Sequence, residues 1–201
     1  MRNVRRSGIK TLTLLAIQVV TGTICLATDA VDLTSAAENG NIAALRELLD
    51  KGMAVDIRDP SGETALMAAC DAGQVGAVKF LLERGANPSI FRDTSYDNTE
   101  GSALMFATLP SVPESVPIIK RVAIINLLIG HGADVNKKTS LGETALMIAS
   151  ENGLIQIVRI LLSKGANRAY ARKDGKTALD LATINLHVDV ANILQSTTGK
   201  R

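Results

Sequence analysis

Residues 142–167 read GETALMIASENGLIQIVRILLSKGAN, and their spacing decides the fold. Thr144 is placed to cap a short helix whose Leu146, Met147 and Ala149 fall on one face, and Gly153 interrupts it. A second helix follows with Ile157, Val158, Leu161 and Leu162 at helical spacing. Gly165 ends it, in a left-handed conformation that a side chain resists. Two helices this short cannot bury their apolar faces alone, so the stretch predicts similar neighbours on both sides.

The neighbours are present. Thr64-Ala65-Leu66-Met67 returns as Ser102-Ala103-Leu104-Met105, as Thr144 to Met147, and as Thr177-Ala178-Leu179-Asp180, the last step being 33 residues. The helix-ending glycine recurs at Gly52, Gly85, Gly132 and Gly165, with steps of 33, 47 and 33. The long step holds 14 extra residues: five around 89–101, which include Phe91 and Tyr96, and nine around 109–121, which carry Pro110, Pro113 and Pro117. Proline blocks a continuous helix across the second insertion, so a stiff loop is expected before a helix resumes near Ile118.

On these blocks the chain resembles the ankyrin-repeat family, whose 33-residue units each hold a β-turn and two antiparallel helices. The resemblance runs from about Asp29 to Gln195. It implies an all-α ankyrin-repeat solenoid of stacked helix-turn-helix units with short β-turn fingers, in about five repeats over 29–60, 61–97, 98–140, 141–173 and 174–195. Alanine replaces the family's usual proline, and Met67, Met105, Met147 and Asp180 replace its histidine. In the first repeat Asp29 to Asp32 are expected to precede a helix containing Leu33, Ala36 and Ala37, Thr34, Ser35, Glu38 and Asn39 are polar, and the unit reads as an end cap, as does the fifth, where Leu186 stands in place of glycine. The remainder, 28–201, is one ankyrin-repeat domain.

Residues 1–27 read as a signal peptide. Arg2, Arg5, Arg6 and Lys10 precede an apolar run too short and interrupted for a good membrane span, and Cys25-Leu26-Ala27 offers small residues for cleavage. Those four cations have no acidic counterpart, so the whole-chain charge of +2 becomes −2 once they are removed. Such a mature chain gives no reason to expect nucleic acid or stable membrane insertion. Cys70 then stands alone, in the small position that Ala37 and Ser150 fill elsewhere, and reads as a buried structural thiol.

Nothing points to catalysis. The two histidines fall at unrelated repeat positions, no metal-spaced His/Cys set or phosphate-binding glycine loop is present, and no cofactor is expected. His131 reads as a helix-end cap. Glu63, Asp71, Glu143, Glu151 and Asp180 read as solvated repeat surface. The expected function is an exported, monomeric protein-protein interaction module, periplasmic or secreted, with a bacterium-like leader and a protein partner. The alternatives are an inhibitor or accessory of an exported enzyme and a secreted effector acting on a host protein. The candidate contact residues are Phe91, Arg92, Tyr96 and Asp97 on the lengthened finger, with Met105 and Met147, although the methionine column reads first as packing between repeats.

Overall fold

A computed structural model describes residues 29–92, 100–109 and 116–196. The signal segment, the stretch 93–99 with Tyr96 and Asp97, the stretch 110–115 of the expected proline-stiffened loop, and the tail after Ser196 lie outside the described residues.

Ten helices occur among the described residues. They are α1 (29–38), α2 (Ile42–Asp50), α3 (Ala65–Asp71), α4 (Val75–Glu83), α5 (Ala103–Phe106), α6 (Ile118–Gly130), α7 (Ala145–Glu151), α8 (Ile155–Ser163), α9 (Ala178–Ile184) and α10 (Val188–Ser196). They pair as five hairpins. The first helices of successive hairpins pack in one row, α3 on α5, α5 on α7 and α7 on α9, and the second helices in another, α2 on α4, α4 on α6, α6 on α8 and α8 on α10. Between the rows runs one continuous core, with Leu33, Leu66, Leu104 and Leu146 buried at the same position of four repeats.

The inner helices start as their sequences require. Thr64 Oγ1 accepts a hydrogen bond from the Met67 amide at 3.4 Å and Thr144 Oγ1 one from Met147 at 3.3 Å, so threonine caps the helix without the family's histidine. At Thr177 the cap is reciprocal: the Asp180 carboxylate accepts from the Thr177 amide at 2.8 Å and from its hydroxyl at 2.7 Å.

The third repeat departs from this pattern. Helix α5 has four residues where α3, α7 and α9 have seven. Pro110 drives Leu109 away from helical angles and has no amide to offer the Phe106 carbonyl. The Phe106 carbonyl accepts from the Leu109 amide at 3.2 Å, and past the helix end Arg121 serves two further carbonyls, its guanidinium reaching across from α6 to Leu109 O and, at 3.4 Å, to Ala107 O. Pro117 stands at the N-cap of α6, as the sequence anticipates, and α6 runs 13 residues against nine in α4, α8 and α10.

The first repeat corrects an expectation. Its helix already includes Asp29 to Asp32, and Thr34 is buried instead of solvated, its hydroxyl donating to Ala30 O at 3.2 Å and Val31 O at 3.0 Å. Satisfying the hydroxyl within the helix allows the burial.

A further regularity joins the repeats. Gln74 Nε2 donates to Glu38 O at 3.0 Å, and His187 Nε2 bonds Glu151 O at 3.0 Å, each side chain following the inter-helix turn of its repeat and reaching 36 residues back. The His187 ring lies over Gly153, where φ is +66° and a Cβ would stand 2.6 Å from Nδ1. Leu186 occupies the equivalent turn position of the last repeat, with φ at 61° and a side chain 82% exposed. Ile184 and Val188 beside it are exposed too. No helix among the described residues is long and apolar enough to cross a membrane.

Candidate functional site

The lengthened finger is built from a short antiparallel ladder. Strand β1 (Phe91–Arg92) pairs with β2 (Gly101–Ser102), Phe91 opposite Ser102 and Arg92 opposite Gly101. In two other repeats the same bridge joins Arg58 to Thr64 and Ala171 to Thr177, partners six residues apart, whereas Phe91 and Ser102 are eleven apart. The five extra residues therefore sit between the strands of this finger, where the repeat spacing places them.

Each candidate contact residue has a definite place. Phe91 is half-buried at the finger's base, its carbonyl accepting from Arg58 Nη1 at 3.1 Å and its ring facing Lys137 Nζ at 5.7 Å. That cation–π contact fastens one finger to the next. Lys138 over Tyr170, at 3.4 Å, repeats the arrangement one finger further along. Arg92 is a correction. Its side chain is buried, with Nε donating to Ser61 O at 3.0 Å and the guanidinium over the Phe106 ring at 5.9 Å, so it anchors the finger and presents no charge at the tip.

Met105 and Met147 are corrected in the same sense. They are 2% and 1% exposed and fill space between stacked repeats, leaving no surface for a partner. A methionine in the family's histidine position faces the neighbouring repeat, because the first helical turn of each unit lies against the next.

Of the two only Met105, through its 2%, borders the inner face, which other residues mainly shape. Met105, Phe106, Leu109 and Ile148, with Gly101, Glu100 and Glu143, wall a cleft of about 140 Å³ between the third and fourth repeats. Glu100 accepts from the Ser140 amide at 2.7 Å, which holds its carboxyl below the usual range, and Glu143 receives Arg172 Nη1 at 3.2 Å. Arg172 also bonds Asp174, and this cation, with the Lys176 amide, keeps the Asp174 carboxyl strongly acidic. The cleft is well short of the roughly 300–1,000 Å³ typical of sites for small molecules and cofactors. Sequence reasoning passed over Phe106 and Ile148. Their signal is size, since both stand where the second repeat has Ala68.

A second trough of about 380 Å³ lies over the first two repeats, lined by Glu38, Asp59, Glu63 and Asp71 along with Val31 and Ala68. Glu63 is not the solvated carboxylate its sequence suggests. Burial pushes its pKa up, Arg92 opposes the shift, and the charges of Asp59, Asp71 and Glu38 add to it. Asp59 is engaged in the turn of its own finger, accepting from the Ser61 amide at 2.8 Å, the Ser61 hydroxyl at 2.7 Å and the Glu63 amide at 2.9 Å.

Cys70 is buried, and the loss of solvation raises its thiol far above the range in which thiolates form. His131 Nδ1 donates to Leu127 O at 2.9 Å, the helix-end role expected of it. Among the described residues no group of three His, Cys, Asp or Glu side chains is arranged to hold a metal ion.

Comparison with known proteins agrees with this architecture. A family model described as ankyrin repeats matches residues 32–92 and 118–200. The chain is 33% identical over 146 residues to a protein of Dirofilaria immitis named L-asparaginase, the match covering 63% of this chain and 25% of that protein. It is 35% identical over 123 residues to the ankyrin repeat, SAM and basic leucine zipper domain-containing protein 1 of Ovis aries, covering 61% of this chain and 24% of the relative. Over 75 residues it is 41% identical to the ankyrin repeat and KH domain-containing protein mask-1 of Caenorhabditis elegans, 37% of this chain and 3% of that one. The match thus spans about a quarter or less of these relatives' lengths. With stacked helical hairpins, capped inner helices and short fingers all in place, and the family model covering most of its length, the chain belongs to the ankyrin-repeat family.

Proposed function

We propose that this chain is an exported ankyrin-repeat module that binds a periplasmic or extracellular protein without itself catalysing a reaction. Ankyrin repeats are protein-protein interaction modules, and that coarse function belongs to the chain with its family. The finer reading is carried by one observation: the finger between Phe91 and Ser102 is five residues longer than its neighbours and is pinned at its root by Arg58, Lys137 and Arg92. A lengthened loop on a rigid base is the arrangement binding proteins use to place contact residues. Export rests on the basic start, apolar run and Cys25-Leu26-Ala27 of the leader. A secreted effector acting on a host protein shares that support. Accessory or inhibitor of an exported enzyme is the second reading, and the likeness to part of a protein named L-asparaginase favours it.

The test uses the chain as bait in periplasmic extract and in culture medium, with bound proteins identified by mass spectrometry. Phe91 is half-buried, so the variant that isolates contact from folding is Tyr96→Ala with Asp97→Ala at the tip. That variant is expected to keep its thermal midpoint and lose at least tenfold in affinity for the captured partner. Unchanged affinity removes the finger from the interface.

A further inference from the structure

The inner face changes chemistry along the stack. Over the first two repeats it is a trough lined by four carboxylates, with no lysine or arginine among its described lining, although Arg92 acts on Glu63 and Arg121 on Asp71 from beyond it. Over the third and fourth repeats it becomes an apolar cleft walled by Phe106, Leu109 and Ile148. Arg92 stands between the two regions, over the Phe106 ring on one side and acting on Glu63 on the other.

We propose that this face receives an extended basic segment of the partner protein, with an apolar side chain seated between Phe106 and Ile148 and a Lys or Arg over Glu38 and Glu63. The proposal rests on the protein-binding reading and specifies the partner's chemistry. Two features of the face carry it. The cleft holds roughly the volume of one side chain, so it selects an anchor and not a whole ligand. Charge complementarity supplies the second contact, because the trough places like charges together and a cation entering it relieves their repulsion. Trough and cleft are about two repeats apart, and stacked helices lie roughly 8–10 Å from one another. At about 3.3 Å per residue an extended chain covers that span in about five or six residues. The recognised segment therefore carries its basic and apolar residues at that separation.

The test pans a phage-displayed library of random twelve-residue peptides against the whole chain, then measures a selected synthetic peptide by fluorescence anisotropy. Peptides pairing Lys or Arg with a Leu, Phe or Met about five or six residues away are expected to be enriched, and their binding should weaken with added salt. Glu38→Gln with Glu63→Gln should reduce affinity at least tenfold and flatten the salt dependence. Leu109→Ala should also weaken binding, and an unchanged thermal midpoint separates lost contact from lost folding. No enrichment, enrichment of neutral or acidic peptides, or indifference to the glutamine pair would overturn the proposal. If a protein partner is captured through the finger while the glutamine pair changes nothing, the protein-binding reading stands and this assignment falls. A dimer in sedimentation that the glutamine pair dissolves would give the face to a second copy of the chain, which also overturns it.

Discussion

Glu63 shows how much one side chain's setting depends on its neighbours. Its carboxyl is half-buried and its pKa is raised, first by burial. The folded state therefore holds the proton more tightly than the unfolded chain does. Its contribution to stability is fully present below the unfolded pKa and is lost as pH rises through the folded value, so at neutral pH the charge costs stability. Glu63→Gln is expected to raise the thermal midpoint at pH 7, with the gap over the parent chain closing as pH falls through the carboxylate range. A gap that stays constant with pH would mean that the carboxylate is solvated. The sequence alone reads Glu63 as repeat surface because its burial comes from α1 and the following finger. Cys70 was legible for the opposite reason: the repeat register supplies small residues at its position, and register is a sequence property. Met105 and Met147 sit in an equally regular column, but regularity does not distinguish a stripe facing a partner from one facing the next repeat.

At the scale of elements, two glycines illustrate two different requirements. Gly165 has φ at +87° with open space around the position of a Cβ, so only its backbone conformation excludes a side chain. Gly153 adds contact with the His187 ring. Alanine at Gly165 should cost about 1 kcal/mol, the penalty for a left-handed alanine. Alanine at Gly153 should cost about 1 kcal/mol more, because displacing His187 also breaks its hydrogen bond to Glu151 O, a bond worth about 1 kcal/mol net. Urea midpoints of the two variants check the difference, and equal midpoints would remove the inter-repeat contact from the account. Helix placement was readable from the repeats except at the start of α1, where no preceding repeat sets the register, and so was the arrival of α6 after Pro117. The shortness of α5 was only half readable. Pro110 marks where helix must stop, but the guanidinium that makes the early stop tolerable belongs to another helix and comes from Arg121, eleven residues beyond the proline.

For the whole molecule, periodicity explains why fold and site differed in legibility. A stacked unit sees mainly the units beside it, so the period of the sequence dictates the architecture. A surface on such a stack is assembled from residues one or two units apart, such as Phe106 with Ile148, whose shared character appears only when the units are superposed. Leu186 has a consequence at this scale. At Gly153 and Gly40 the following repeat lays a side chain across the glycine, and a Cβ there would meet it at 2.6 Å and 2.7 Å. Whatever chain adjoins, a helix pair in the same register on the last repeat would bring such a side chain onto Leu186. An array of identical units with open ends is prone to grow head to tail, and contacts of that kind do not close on themselves but run into fibres. Leu186→Gly should relieve a left-handed leucine, for a net gain of about 0.5 kcal/mol once the added freedom of the unfolded chain is counted. Sedimentation at rising concentration should then reveal more self-association in the variant than in the parent chain, and equal behaviour of the two would refute the idea. The strained leucine is a chain terminator in the polymer chemist's sense, a defect at the growing end that trades a little monomer stability for a finite length.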